Sequence, residues 1–130
     1  ASAHREAQAA VAIAASVPGV RAYALGTLAK VLLVQGRADE ALAPATEAMR
    51  IVESLGGLEE GEPIVRLCHA EVLRAVGDEA GAQAALLVAR ERLLARAAKI
   101  KDPLRRASLL ASVPEHARTM ALSEAPAAPQ

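Results

Sequence analysis

The chain has 130 residues, a formal net charge of zero and a single cysteine. That length suffices for one layered core, and the neutral balance gives no reason to expect nucleic acid or an anionic membrane as a partner. One cysteine excludes an internal disulfide, so we expect a reducing, cytoplasmic location.

The composition favours helices over strands. Alanine supplies much of the apolar content, and Tyr23 is the only aromatic residue. Alanine has the highest helix propensity, and no run of residues alternates with the period of two that strands require. No apolar run is long enough to span a bilayer, and no signal peptide is evident. We therefore predict an all-α protein. Because the chain lacks an initiator Met and begins within a helical pattern, we expect it to be a piece of a longer protein.

Apolar residues recur every three or four positions in the first half of the chain, which predicts three helices: 3–17, about 21–34, and 38 to about 55. Pro18-Gly19 is expected to end the first helix. Gly36 suits the position after a helix C-terminus, where a left-handed backbone conformation is needed. The second and third helices should therefore form a hairpin around Gly36.

The second half begins with a predicted loop, GGLEEGEP at 56–63, and continues with four further helices: 63–76, 79 to about 101, 104 to about 112, and one that starts at Pro114. Glu62 is a candidate N-cap and Pro63 a first helical residue. Gly77 should close its helix as Gly36 does. Asp102-Pro103 supplies another cap and first-turn proline. We expect a flexible tail at 126–130.

The two predicted hairpins share a pattern of small and apolar residues. Each of the following lies at the same distance from its glycine in both units: Ala29, Leu32, Ala41, Ala45 and Ala48 around Gly36, and Ala70, Leu73, Ala82, Leu86 and Ala89 around Gly77. Small residues at these positions allow two helices to cross closely, and the glycine allows the tight reversal.

This pattern resembles the tetratricopeptide repeat, a helix–turn–helix unit of about 34 residues. The resemblance covers residues 3–101, although Leu25 and Leu32 stand where the family usually has Trp and Tyr, and the closing proline is missing. It implies one domain over 1–125, with antiparallel hairpins stacked as a short α-solenoid. Its parts are a half unit at 3–17, units at 21–55 and 63–101, and capping helices at 103–124. The segment after residue 100 is similar to the ends of repeat regions in large bacterial regulators.

The resemblance also implies a place for a partner. In the family, partners lie in the concave groove lined by the first helix of each pair. The candidate partner-binding residues carried over by position are Tyr23, Lys30, Val34, Leu67, Glu71 and Arg74, with Gly26, Leu33, Ile64 and Ala75 beside them. The alternative for Glu71 and Arg74 is a surface ion pair between residues three apart on one helix.

A basic stretch follows at 90–106, with these side chains: Arg90, Arg92, Arg96, Lys99, Lys101, Arg105 and Arg106. Such a stretch can bind phosphates or an acidic partner. However, Arg92, Arg96 and Lys99 share the face opposite the apolar stripe, as in an ordinary solvated helix, and no aromatic residue is interleaved for base stacking. We favour the solvated face.

No pattern in the sequence indicates catalysis. Cys68 and His69 are adjacent, so on a helix they point about 100° apart and do not form a metal pair. No nucleophile–base set, phosphate loop or paired carboxylate is evident. We expect no enzyme activity, metal or cofactor. The predicted function is a scaffold that binds a protein or peptide partner. The alternatives are a nucleic-acid-binding module that uses 90–106, and self-assembly through the open end that the half unit leaves.

Overall fold

The computed structural model describes residues 2–13 and 17–124, and that part of the chain is helical with no strand. The all-α prediction is confirmed for these residues. The helices are α1 (Ser2–Ile13), α2 (Pro18–Val34), α3 (Ala38–Leu55), α4 (Glu62–Ala75), α5 (Glu79–Ala98), α6 (Pro103–Ser112) and α7 (Pro114–Glu124).

Most predicted boundaries agree with the structure, and the exceptions have local causes. α2 starts three residues early because Pro18 stands in its first turn, where a missing N–H costs nothing and the fixed φ suits a helix. α5 ends at Ala98, short of the predicted 101, because the N–H groups of Lys99 and Ile100 bond to carbonyls only three residues back. The end of the predicted first helix at 14–16 and the predicted tail at 126–130 lie outside the described residues.

Each helix packs against the helices next to it in the sequence. α2 packs against α1, α3 and α4, and α4 packs in turn against α2, α3 and α5. The last two helices behave differently, since α6 contacts only α5 and α7, whereas α7 folds back to contact both α4 and α5. The return of α7 places its first half beside the α2–α4 face that was predicted to bind a partner.

The predicted helix ends at Gly36 and Gly77 are confirmed. Gly36 has a φ of 76° and Gly77 a φ of 92°. At the end of α2, Arg37 N–H bonds to Leu32 O at 2.8 Å and Gly36 N–H to Leu33 O at 3.0 Å. The end of α4 repeats this pair of bonds around Gly77, at 2.9 and 3.0 Å. In both places a left-handed residue satisfies carbonyls that the helix would otherwise leave unpaired.

The small residues predicted to lie where paired helices cross are buried, which confirms the prediction; we call these crossings seams. Ala41 and Ala82 are 0 % exposed, and Ala45 and Ala89 are 2 % exposed. Larger side chains fill the layers beside these seams and complete a core without aromatic residues, namely Leu25, Leu32, Met49, Ile51, Val52, Val65, Val72, Leu86 and Leu93. A protein interior is packed too densely to accept extra atoms at the seam positions.

We therefore predict that Ala82→Leu overpacks the α4–α5 seam and lowers the free energy of unfolding by roughly 1–3 kcal/mol. Urea denaturation followed by circular dichroism measures this change. The matched control is Ala84→Leu, because Ala84 is exposed on the same helix. Equal stability of the two variants would contradict the close crossing.

Candidate functional site

Four of the six candidate residues lie together in one groove. Lys30 and Val34 come from α2 and Leu67 and Glu71 from α4, and the groove encloses about 330 Å³. α7 supplies a further wall through Pro114, Glu115 and Arg118. The remaining lining residues are Leu33, Ile64 and Cys68.

Tyr23 lies in a second hollow at the start of α2, with a volume of about 760 Å³. Its ring packs against Gly61, whose φ of 83° and closeness to the ring leave no room for a side chain. Val17, Val20 and Leu55 give this hollow an apolar lining. Ile64 lines both hollows, so they adjoin along the α2–α4 face.

Arg74 lies in neither hollow. Its Nε donates to the Glu79 carboxylate at 3.1 Å. The Glu71 carboxylate instead accepts two hydrogen bonds from the Arg118 guanidinium, at 2.9 and 3.0 Å. The alternative prediction of a Glu71–Arg74 pair is therefore wrong. The return of α7 brings Arg118 to Glu71 across 47 positions of sequence, a separation at which local spacing carries no information.

The thiol in the groove is buried among neighbouring groups of the core. Cys68 is buried, and its Sγ lies 3.5 Å from the Gly26 carbonyl oxygen. Burial, assisted by the nearby Glu71 carboxylate and opposed by Lys30, raises the pKa of the thiol to about 12. The thiolate that reactive cysteines require is therefore scarce at neutral pH.

Much of the basic stretch is engaged by groups within the protein. Four of its seven side chains contact protein groups: Arg90 bonds to Glu124, Arg92 to Glu62, Arg106 to the Ile100 carbonyl, and Arg105 approaches Asp102. Arg92 lies on an exposed face with Arg96 and Lys99, as predicted, but unlike an ordinary solvated side chain it also bonds to Glu62. The surface that a nucleic acid would meet is correspondingly smaller.

Arg92 bonds to the buried carboxylate of Glu62, which was predicted from the sequence to be an N-cap. Glu62 is the first residue of α4 and only 2 % exposed, and the N-cap position belongs to Gly61. The Glu62 carboxylate accepts from Arg92 Nε at 2.7 Å and Nη2 at 3.0 Å, and from Arg66 Nε at 2.8 Å. It also accepts from the Leu58 backbone N–H at 2.9 Å. We call Glu62, Arg66 and Arg92 the carboxylate cluster.

The carboxylate cluster keeps Glu62 ionised. Burial alone would raise the pKa of this carboxyl, but hydrogen bonds from Arg92, Arg66 and the Leu58 N–H outweigh it and lower the pKa to about 2. The same pairing raises the pKa of Arg92. Each bond is charge-assisted and stronger than one between neutral groups, so a single carboxylate joins α4, α5 and the loop before α4.

One ion pair of this cluster could be predicted from the sequence. Glu62 and Arg66 stand four apart, the spacing of an ion pair on one helix turn. Nothing local indicates Arg92, which is 30 positions from Glu62. Nor does the sequence indicate that Glu62 is buried, because the loop that covers it looks solvent-exposed.

No family model, curated protein or solved structure matches this chain. Within 2–13 and 17–124, no group of three or more His, Cys, Asp or Glu side chains is arranged to hold a metal ion. Among the same residues, no helix has both the length and the apolar character needed to traverse a bilayer. The function must therefore be inferred from the surfaces described above.

We predict that Glu62→Gln lowers the free energy of unfolding by about 3 kcal/mol at pH 7, the value of a shift from the ordinary carboxyl pKa to about 2. The substitution removes the charge that compensates two guanidinium groups while keeping the side-chain shape. Urea denaturation provides the measurement. Glu91→Gln, an exposed position on α5, is the matched control and should change stability by less than about 0.5 kcal/mol.

The pH dependence of this difference is a separate prediction. The folded-state pKa of Glu62 lies below the unfolded value of 4.5, so its contribution is complete above about pH 5 and is lost as the pH falls toward 2. The stability gap between the natural chain and Glu62→Gln should therefore close as the pH is lowered through this range. A gap independent of pH would show that the charge of Glu62 does not supply the stability.

Proposed function

We propose that this chain is a non-catalytic helical-repeat module, similar to tetratricopeptide repeats, that binds a segment of a partner protein along α2 and α4 as part of a larger regulatory protein. Its two hairpins support the proposal, because each has a left-handed glycine after its first helix and buried alanines where its helices cross. α2 and α4, the first helices of the two pairs, also pack directly against each other.

The observation that carries the proposal is the pair of adjoining hollows that share Ile64. Large apolar side chains in and around them are open to solvent: Val20 is 56 % exposed, Tyr23 is 45 % exposed and Val34 is 79 % exposed. Apolar side chains grouped around a concavity are typical of a partner-binding surface. Tyrosine is also among the residues that contribute most to interface energies.

The groove also carries charged groups beside its apolar side chains. Lys30 lines the groove and has no ion pair among the described residues. The Glu71–Arg118 pair lies across the groove and connects α4 to α7. A partner segment with apolar anchors for Tyr23 and Val34 and a carboxylate near Lys30 complements these groups.

We expect Tyr23→Ala combined with Val34→Ala to weaken peptide binding by on the order of 2 kcal/mol, or roughly thirtyfold in Kd. The ligand is a peptide enriched on the natural chain from a displayed random library, and its affinity is measured by fluorescence anisotropy. Both side chains are exposed, so the fold should be retained, which a thermal unfolding curve of each sample checks.

The matched control is Leu87→Ala with Leu94→Ala. These two apolar side chains are also exposed but lie on α5, outside both hollows. If this control weakens the peptide as much as the groove variant does, the groove is not the binding surface. If the library yields no groove-dependent peptide, and short oligonucleotides bind with steep salt dependence, the proposal is replaced by nucleic-acid binding through the basic stretch.

A further inference from the structure

A third cavity, of about 340 Å³, lies between the loop before α4 and the exposed side of α5. None of the cationic side chains that line the groove between α2 and α4 lines this cavity. Its charged lining consists of four cations and two carboxylates, namely Arg66, Arg92, Arg96 and Lys99 with Glu59 and Glu62. These charges leave a surplus of two positive charges around one small concavity.

The excess positive charge lies on side chains that have no carboxylate partner within the described residues. The Glu62 carboxylate is fully engaged by Arg66 and Arg92. Arg96 and Lys99 make no side-chain hydrogen bond or ion pair within the described residues. They lie three apart, so both project from the same side of α5 toward the cavity. Glu59 is exposed at the rim and is the one remaining negative group.

Arg66 is the most informative member of this lining. Its side chain is only 10 % exposed, and its Nε donates to Glu62. Its two terminal nitrogens have no hydrogen-bond partner in the described residues. No buried side-chain nitrogen or oxygen of these residues is left without a partner, so both terminal nitrogens reach solvent, and Arg66 lines this cavity. Glu62 thus holds in place a largely buried guanidinium whose remaining donors are unused.

We propose that this cavity binds a phosphate-class oxyanion as a dianion. A guanidinium with two free terminal nitrogens matches the paired oxygens of a phosphate, and little side-chain entropy remains to be lost because Glu62 already holds it. Arg96 and Lys99 supply the balancing charge, and a dianion matches the surplus of two better than a carboxylate does. Glu62 is a positioning residue, since it orients Arg66 and Arg92 without touching the anion.

The test is a titration of the whole chain with inorganic phosphate at constant ionic strength, followed by amide chemical shifts in two-dimensional NMR spectra. We expect saturable shifts concentrated at 56–58, 66 and 92–99. Acetate at the same concentration should give at least roughly tenfold weaker binding, because it carries one charge and fewer acceptor oxygens. A response to phosphate that does not saturate, or equal binding of acetate, would overturn the proposal.

Two variants test the assigned residues. Arg96→Gln with Lys99→Gln removes two charged donors and should weaken phosphate binding by roughly a hundredfold, about tenfold for each. Arg66→Lys keeps a positive charge beside Glu62 but removes the fork, and should weaken binding roughly tenfold. Because Arg66 is buried, its variant is interpreted only if its unfolding curve is native-like. The Arg96–Lys99 variant decides the proposal in either case, because neither side chain makes a hydrogen bond or ion pair among the described residues.

The matched control is Arg5→Gln with Lys101→Gln. It changes the net charge equally, but neither residue lines this cavity. It should leave phosphate binding unchanged within about twofold, since screened charges at a distance contribute little. An equal loss in this control would show that phosphate responds only to net charge, and the site would be rejected.

Two sources can supply a phosphate monoester: a free phosphorylated small molecule or a phosphorylated protein segment. A short phosphoserine peptide and its unphosphorylated form distinguish them. Binding of the phosphopeptide more than roughly tenfold tighter than inorganic phosphate assigns the site to a phosphorylated segment, because the flanking residues then contribute. Equal affinities assign it to a free phosphate compound. Tighter binding of the unphosphorylated peptide would reject the anion site altogether.

Discussion

One buried carboxylate determines the geometry of the middle of this chain. Removing the Glu62 charge from water is costly unless every acceptor position finds a charged or polar donor. Two guanidinium groups and the Leu58 N–H meet that requirement. Because these donors come from α4, α5 and the loop before α4, satisfying the carboxylate also sets the positions of all three. Arg92 extends the connection to the Gly56 carbonyl, so the end of α3 is included.

The loop at 56–61 therefore separates two surfaces of different chemistry. On one side its backbone at Gly61 supports the ring of Tyr23 and the apolar hollow that adjoins the groove. On the other side it covers Glu62 and helps to enclose a cavity lined by cations. Both surfaces therefore depend on the conformation of this one loop.

The core shows how a chain with one aromatic residue packs its helices. Alanines at the crossings bring helix axes close together, and Leu86, Leu93 and Val52 fill the layers between them. Close approach replaces the bulk that aromatic side chains supply elsewhere. It also leaves the one aromatic residue free to remain on the surface, where it lines a hollow instead of contributing to the core.

The sequence by itself determined the helices, the turns at Gly36 and Gly77 and the buried alanine seams, because periodicity and the conformational freedom of glycine act within a few residues. The positions carried over from the resemblance to tetratricopeptide repeats predicted one groove, and four of those six residues line a common hollow, namely Lys30, Val34, Leu67 and Glu71. Only the tertiary structure decided which charges meet across different helices. Glu71 bonds to Arg118 rather than to Arg74, and Glu62 is buried beneath Arg92 instead of capping a helix. Ion pairs between helices are selected by proximity after packing and by burial, and neither property is carried by the local spacing of residues along the chain.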